Sequence, residues 1–232
     1  MQNRILSKAE AWVTRDDLRY TPIRNRREYR FRRRWFLSRN CATFSTFLPS
    51  RFPPAEPWKV LTIGVFEAMS EVWLFQNILQ HADSFLVGID PWLSYEHHRP
   101  GMDQTFADQC YAAACYNLGA WKGRWKLLVG KSQDVLPAAL IEGNLAGVPV
   151  GTFDLAIIDG DHAEDAVYTD AVNCFDLVKS GGWLLFDDVR TRTRKVRQVR
   201  EGLTRFLEAY DDRVRQVWSH RFCECYEKLI EG

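Results

Sequence analysis

The chain has 232 residues, 46% hydrophobic and 26% charged, which is enough apolar content for one sizeable core or two small ones and excludes a disordered or collagen-like protein. No apolar run approaches the roughly 20 residues needed to cross a bilayer, and the opening MQNRILSKAEAW carries charge where a signal peptide needs an apolar stretch, so a cytoplasmic protein with no membrane partner is expected. The net charge of +1 conceals an asymmetry: residues 1–56 hold 13 Lys+Arg against 5 Asp+Glu, while residues 57–232 hold 18 against 25.

Residues 1–56 therefore read as a basic extension, and residues 57–232 as the domain proper. The extension contains RNRREYRFRRRWF, arginines interleaved with aromatics and framed by Pro22 and Pro53-Pro54. Such a segment can dock on the acidic remainder of its own chain, on a sister subunit in a homo-oligomer, or on a polyanion such as nucleic acid. The expected role is an active-site cover or a dimerisation element, with docking favoured over nucleic acid. The six cysteines (Cys41, Cys110, Cys115, Cys174, Cys223, Cys225) form no CxxC pair, which argues for reduced thiols rather than a zinc knuckle or a disulfide framework.

From Trp58 onward, short apolar runs alternate with stretches of helical period, the pattern of βαβ units around a parallel sheet. KVLTIG (59–64), FLVGID (85–90), WKLLVG (125–130), FDLAIID (153–159) and GWLLFDD (182–188) read as five strands. Val167, Ala171, Phe175 and Val178 recur at helical spacing between the last two, and Val196, Val199, Leu203, Phe206 and Tyr210 after them. Lys179-Ser180-Gly181-Gly182 reads as a basic last turn and glycine stop. RVRQVWSH and FCECYEKL close the chain as an antiparallel pair at one edge.

In an open parallel sheet the ligand crevice lies beyond the carboxyl ends of the strands. Here those ends carry Gly64, Asp90, Asp159 with Asp161 beyond it, and Asp187-Asp188. One aspartate at such a place is accounted for by helix capping. Five together repel unless a cation or hydrogen-bond donors compensate.

At this point the motifs resemble class I S-adenosylmethionine-dependent methyltransferases, over about residues 57–230. TIGVFEAMSEVWL is similar to the first family motif, LVGIDPW to the second, and GKSQDVLPA to the segment bordering the adenine. IIDGDHAEDAVYTDAVNCFDLVKSGGWLLFDDV is similar to the metal-dependent small-molecule O-methyltransferases, particularly the macrocin-type sugar enzymes and more distantly catechol O-methyltransferase. The resemblance implies a Rossmann-like α/β fold: a seven-stranded, mostly parallel sheet with helices on both faces and an antiparallel edge hairpin. It implies S-adenosyl-L-methionine as donor, S-adenosyl-L-homocysteine as product, and Mg²⁺ or another divalent cation as cofactor. Donor contacts would come from Thr62, Gly64, Glu67, Ser70, Asp90, Trp92, Ser132, Gln133 and Asp159, with Asp90 accepting from both ribose hydroxyls. Asp159, Asp187 and Asp188 would hold the metal, and Asp161 or His162 would serve as general base.

Physical chemistry supports several of these roles. A glycine at 64 leaves room at the strand-to-helix turn, where helix N–H groups face a carboxylate, and the Ser70 hydroxyl can add a donor. Thr62 and Ala68 stand where the family commonly has an acidic residue and a second glycine, and Glu67 is the nearby group able to restore the charge. Carboxylates suit a hard cation, and an imidazole suits proton transfer near neutral pH. Trp92, Tyr95, His97, His98 and Arg99 read as a lid or as a surface loop partly packed on the core, and Arg190, Arg192, Arg194, Lys195 and Arg197 as a positive field for an anionic acceptor or nucleic-acid backbone, or as a solvated helix face that balances the acidic rim. The expected reaction is methyl transfer to a hydroxyl of a small molecule. The alternatives are a nucleic-acid methyltransferase, and an inactive binding or scaffold protein suggested by Thr62 and Ala68.

Overall fold

The computed structural model describes residues 23–33, 35–94, 101–189, 194–220 and 222–230. Its main sheet has the strands β1 (Lys59–Ile63), β2 (Phe85–Asp90), β3 (Trp125–Val129), β4 (Phe153–Ile158), β5 (Val178–Phe186), β6 (Val214–His220) and β7 (Cys223–Lys228). They lie in the order β3-β2-β1-β4-β5-β7-β6. The first five are parallel, and β7 runs antiparallel to both β5 and β6. The helices are α1 (Trp35–Arg39), α2 (Cys41–Arg51), α3 (Met69–Asn77), α4 (Gln104–Asn117), α5 (Ser132–Glu142), α6 (Glu164–Leu177) and α7 (Arg194–Ala209). A small hairpin pairs Asn144–Leu145 with Val148–Pro149.

Because side chains alternate across a strand, each strand feeds two cores. Val60, Leu86, Leu155, Ile157, Trp183 and Leu185 face one, which is covered by α2, α3 and α4. Leu61, Ile63, Val87, Ala156, Ile158 and Leu184 face the other, beneath α5, α6 and α7. This is the expected mostly parallel sheet with helices on both faces and an edge hairpin.

The described part of the basic extension belongs to the first core. Phe44, Leu48 and Phe52 are fully buried, Trp73 of α3 packs edge-on against Phe44, and Phe47 stacks between Trp183 and Trp218. Each such aromatic contributes about 2 kcal/mol of apolar burial. Three arginines of the segment also engage the body: Arg24 N–H donates to Gln76 Oε1, Arg30 lies over the Tyr116 ring, and Arg32 pairs with Glu67.

One local expectation is corrected. Lys179 to Gly182 do not end a helix; α6 stops at Leu177 and these residues lie inside β5, which begins at Val178. The register slips there, from Phe153 opposite Val178 to Leu155 opposite Trp183. The extra length bulges because Gly181 adopts φ +74°, a Cβ on Gly182 would lie 2.5 Å from Val178 Cγ1, and Lys179 is pinned to Asp154 at 2.5 Å. Among the described residues, no helix is long and apolar enough to cross a membrane.

Candidate active site

Strand order reverses between β1 and β4, which opens the crevice beyond their carboxyl ends. Gly64 caps β1 and donates its N–H to Ile89 O at 2.9 Å, while Asp159 caps β4 and donates to Ile63 O at 2.9 Å. These two ends almost touch: a Cβ on Gly64 would lie 2.0 Å from the Asp159 carbonyl oxygen, at a φ of +85°. Glycine is thus required here by the neighbouring backbone, before any ligand is considered. Phe66, Ala68, Trp92 and Asp188 also have positive φ values. Non-glycine residues pay about 1–3 kcal/mol each in this region, and such strain concentrates at functional rims.

Asp90 ties the turn together. Its Oδ2 accepts from Val65 N and Phe66 N, both at 2.9 Å, and its Oδ1 accepts from Trp92 N at 2.8 Å. Burial pushes its carboxyl upward against these hydrogen bonds. The carboxylate expected to meet ribose is therefore already the organiser of the turn. Trp92 reinforces it by donating Nε1–H to Phe66 O at 2.9 Å.

Beneath the turn, Ser70 directs its hydroxyl to Glu71 Oε2 at 3.0 Å, and the buried Thr62 hydroxyl stands beside the same carboxyl. Glu67, 1% exposed, faces the extension: it accepts from Arg32 N at 2.7 Å and Arg33 N at 3.3 Å and pairs with the Arg32 guanidinium. Its backbone carbonyl is held by Asn117 Nδ2 at 2.8 Å. The acidic group set beside Thr62 is accordingly Glu71, which sequence reasoning did not single out.

Complete burial pushes Glu71 up to about 7, with Asp90 adding repulsion. Below its unfolded value of 4.5 the group is neutral in both folded and unfolded chains. Between there and about 7 only the unfolded chain ionises, so stability falls as pH rises through that window and levels off above it. Glu71→Gln, uncharged throughout, is expected to match the wild type at pH 4 and to exceed it by up to about 3 kcal/mol at pH 8. Urea denaturation at the two pH values checks this.

On the far side of the crevice, Ser132 is buried at the start of α5 and Gln133 is half-buried. Gln133 Nε2 donates to Asp170 Oδ1 and to Ser132 Oγ, each at 2.9 Å. Asp170, on α6, is pushed up to about 7 by burial, against the lowering effect of the Ser132 and Gln133 hydrogen bonds.

The acidic rim divides in two. Ligand atoms of Asp159, His162 and Asp188 lie within 4.8 Å of one another; His162 Nε2 is 3.7 Å from Asp188 Oδ2 and 4.0 Å from Asp159 Oδ1. Asp187 is not brought into this group. It is buried, its Oδ2 accepts from Asn40 Nδ2 at 2.5 Å, and its Oδ1 accepts from Cys223 Sγ at 3.1 Å. Burial, then Asp159 and Asp188, push it up to about 8. The sequence expectation named Asp159, Asp187 and Asp188 as one ligand set; the structure gathers Asp159 and Asp188 with His162 and turns Asp187 toward Asn40 and Cys223, because consecutive residues leaving a strand point to opposite faces and Asp188 then turns at φ 55°. Asp161 is exposed and accepts from Ala163 N at 3.0 Å, starting α6.

Donors of one ion at about 2.0–2.6 Å sit up to about 4–5 Å apart, so two carboxylates and an imidazole within 4.8 Å of one another fit a divalent cation. Sequence reasoning missed Asn40, Asn117 and Cys223, none of which has a motif to mark it. It also missed the aromatic frame of Trp35 stacked on Phe66 at 4.7 Å, with Phe106 beyond. Tyr95, His97, His98, Arg99, Arg190 and Arg192 lie outside the described residues, as do the side chains of Arg194 and Lys195. Arg197 is exposed and pairs with Glu201.

This strand order, with a glycine turn at the switch point bound to an acidic residue on the next strand, defines a class I S-adenosylmethionine-dependent methyltransferase. Residues 61–189 match the family described as "Methyltransferase domain", and the chain belongs to that family. Solved structures repeat the fold. An O-methyltransferase from Bacillus cereus in complex with SAH is 19% identical, with a TM-score of 0.54 and 80% of this chain and 81% of that one covered. A protein described as a "putative O-methyltransferase" from Klebsiella pneumoniae is 18% identical, with a TM-score of 0.55 and 82% and 81% covered. One described as a "putative rRNA-methylase" from Clostridium thermocellum is 13% identical, with a TM-score of 0.57 and 82% and 96% covered. No curated protein matches the chain.

Proposed function

We propose that this methyltransferase transfers the methyl group of S-adenosylmethionine to a hydroxyl of a small molecule, a sugar or natural product, with help from a divalent cation. The observation that carries the reading is the gathering of Asp159, His162 and Asp188 beside the Gly64 turn. A cation held by these residues would supply the charge that lowers the pKa of a neighbouring hydroxyl. The reading places the enzyme in the macrocin-type branch, and free thiols at all six cysteines suit a reducing cytoplasm.

The chain's own groups divide the remaining work. The turn built on Asp90 orients the donor, and Asp187, anchored by Asn40 and Cys223, braces the loop that carries Asp188. With His162 in the cation group, Asp161 is the base: it takes the acceptor proton as the acceptor oxygen bonds to the methyl carbon. The carbon–sulfur bond breaks and its electrons return to sulfur, leaving S-adenosylhomocysteine, a neutral thioether. Most of the rate gain then comes from alignment for in-line attack. Arg24, Arg30 and Arg32 of the extension engage this chain's own surface, which favours a small-molecule acceptor over a polyanion.

Chelation tests the reading. With purified protein, S-adenosylmethionine and a panel of sugar and phenolic acceptors, EDTA is expected to reduce methyl transfer at least about 100-fold, and added Mg²⁺ or Mn²⁺ to restore it. Transfer that survives chelation unchanged would overturn the metal role, and absence of S-adenosylhomocysteine binding by calorimetry would overturn the donor.

A further inference from the structure

The basic run at residues 190–200 ends in an arginine that turns inward. Arg200, half-buried on α7, donates from Nη1 and Nη2 to the two carboxylate oxygens of Glu224 at 2.9 and 2.7 Å, and from Nε to the backbone carbonyl of Val189 at 3.2 Å. Glu224 is buried on β7, opposite the Phe186 that ends β5. Its Oε2 also accepts from the Tyr226 hydroxyl at 2.7 Å, and Gln216 Nε2 donates to that hydroxyl at 3.1 Å. The guanidinium is thus fixed to the sheet at one end and grips a loop carbonyl with the other.

That carbonyl belongs to the residue after Asp188. Val189 is buried and donates its own N–H to Phe222 O at 2.9 Å, so both of its backbone groups are tied down, while on the other side Asp187 N–H donates to Ile158 O at 3.1 Å. Asp188 between them adopts φ 55°, a conformation that a non-glycine residue keeps only where its surroundings over-determine it. This turn brings the Asp188 carboxylate to within 3.7 Å of His162 Nε2. A lysine at 200 would supply the charge for Glu224 but lacks the planar fork that serves carboxylate and carbonyl in one fixed geometry. We propose that Arg200 is a positioning residue for the cation site: by clamping the Val189 carbonyl to Glu224, it holds Asp188 in the left-handed turn that aims its carboxylate at Asp159 and His162. This rests on the reading of a divalent cation at that site and adds a residue of α7 that acts on it through the backbone.

The probe is Mn²⁺, titrated by calorimetry into the full chain after treatment with EDTA, with S-adenosylhomocysteine as a second ligand in a separate titration. Arg200→Lys keeps the net charge, so a change in Mn²⁺ affinity cannot come from an altered long-range field. This variant is expected to bind Mn²⁺ at least about tenfold more weakly than the wild type, the size of loss seen when groups that orient metal ligands are removed, and to bind S-adenosylhomocysteine within about twofold of it. Arg200→Met combined with Glu224→Gln leaves no unpaired buried charge and keeps an acceptor for the Tyr226 hydroxyl, yet lacks the clamp on Val189. The same loss of Mn²⁺ affinity is expected there, and this double variant decides the matter if Arg200→Lys does not fold. A merely structural role for Arg200 would lower the melting temperature and leave the Mn²⁺ affinity of the folded variants unchanged, which would overturn the proposal. Equal losses for Mn²⁺ and S-adenosylhomocysteine would do the same, because the defect would then not be confined to the cation site. If the wild type binds S-adenosylhomocysteine but no Mn²⁺, it is the cation reading that fails, and this inference fails with it.

Discussion

Replacing Gly64 by alanine is expected to lower the melting temperature by about 10 °C and to weaken S-adenosylhomocysteine binding more than about tenfold. Two costs add. A side chain at φ +85° is disfavoured by about 1 kcal/mol. The new methyl would also overlap the Asp159 carbonyl oxygen 2.0 Å away, and relieving that clash means parting the ends of β1 and β4 for about 1–3 kcal/mol more. A loss of about 2–4 kcal/mol in a domain of this size corresponds to that change in melting temperature. Binding suffers because the displaced turn carries the Val65 and Phe66 N–H groups away from Asp90. Gly123 is the internal control: its φ is +88°, yet a Cβ there meets nothing within 4 Å. Gly123→Ala should therefore show only the backbone cost of about 1 kcal/mol. Scanning fluorimetry on the two variants separates the terms, and equal destabilisation would refute the tight approach of the two strand ends.

Asp188→Asn is expected to reduce methyl transfer by about 100-fold or more while leaving S-adenosylhomocysteine affinity within about twofold. Asparagine keeps the shape of the side chain and tolerates the left-handed backbone that Asp188 adopts at φ 55°, so the fold should survive. Stability of the metal-free protein is expected to stay level or rise by up to about 1 kcal/mol, because a negative charge leaves a rim where Asp159 and Asp188 already push Asp187 upward. Asp188→Ala loses the same charge and adds backbone strain, so it should be the less stable of the two. The discriminating readout is the thermal shift produced by Mg²⁺ or Mn²⁺: present in the wild type, absent in both variants. Retained turnover together with a retained shift would remove Asp188 from the cation site.

Much of the fold was legible in residues close together along the chain. The alternation of β-branched and aliphatic runs with helical spacing located all five parallel strands to within a residue or two, except for the early start of β5, and it located the closing hairpin. The β5 boundary escaped because Lys179 to Gly182 have the composition of a helix stop, and only the pairing with Asp154 draws them into the sheet. Helix α4 also went unread, although Asp103 caps it by accepting from Phe106 N at 2.8 Å and Cys110, Ala113, Ala114 and Asn117 bury one face. The polarity of its other face hid it among loop residues.

The amino-acid sequence by itself determined the parallel sheet, the glycine turn and the presence of carboxylates at its rim, because strand period, turn chemistry and capping act between near neighbours. Only the tertiary structure decided which carboxylates work together. Asp187 and Asp188 are adjacent in the chain, yet one meets Asn40, 147 positions away, and the other meets His162. Glu67 is claimed by Arg32, 35 positions back, and Gln133 by Asp170, 37 positions on. Such partners are set by strand order and by the face of the sheet on which a side chain emerges. Neither is encoded in the spacing of residues along one segment.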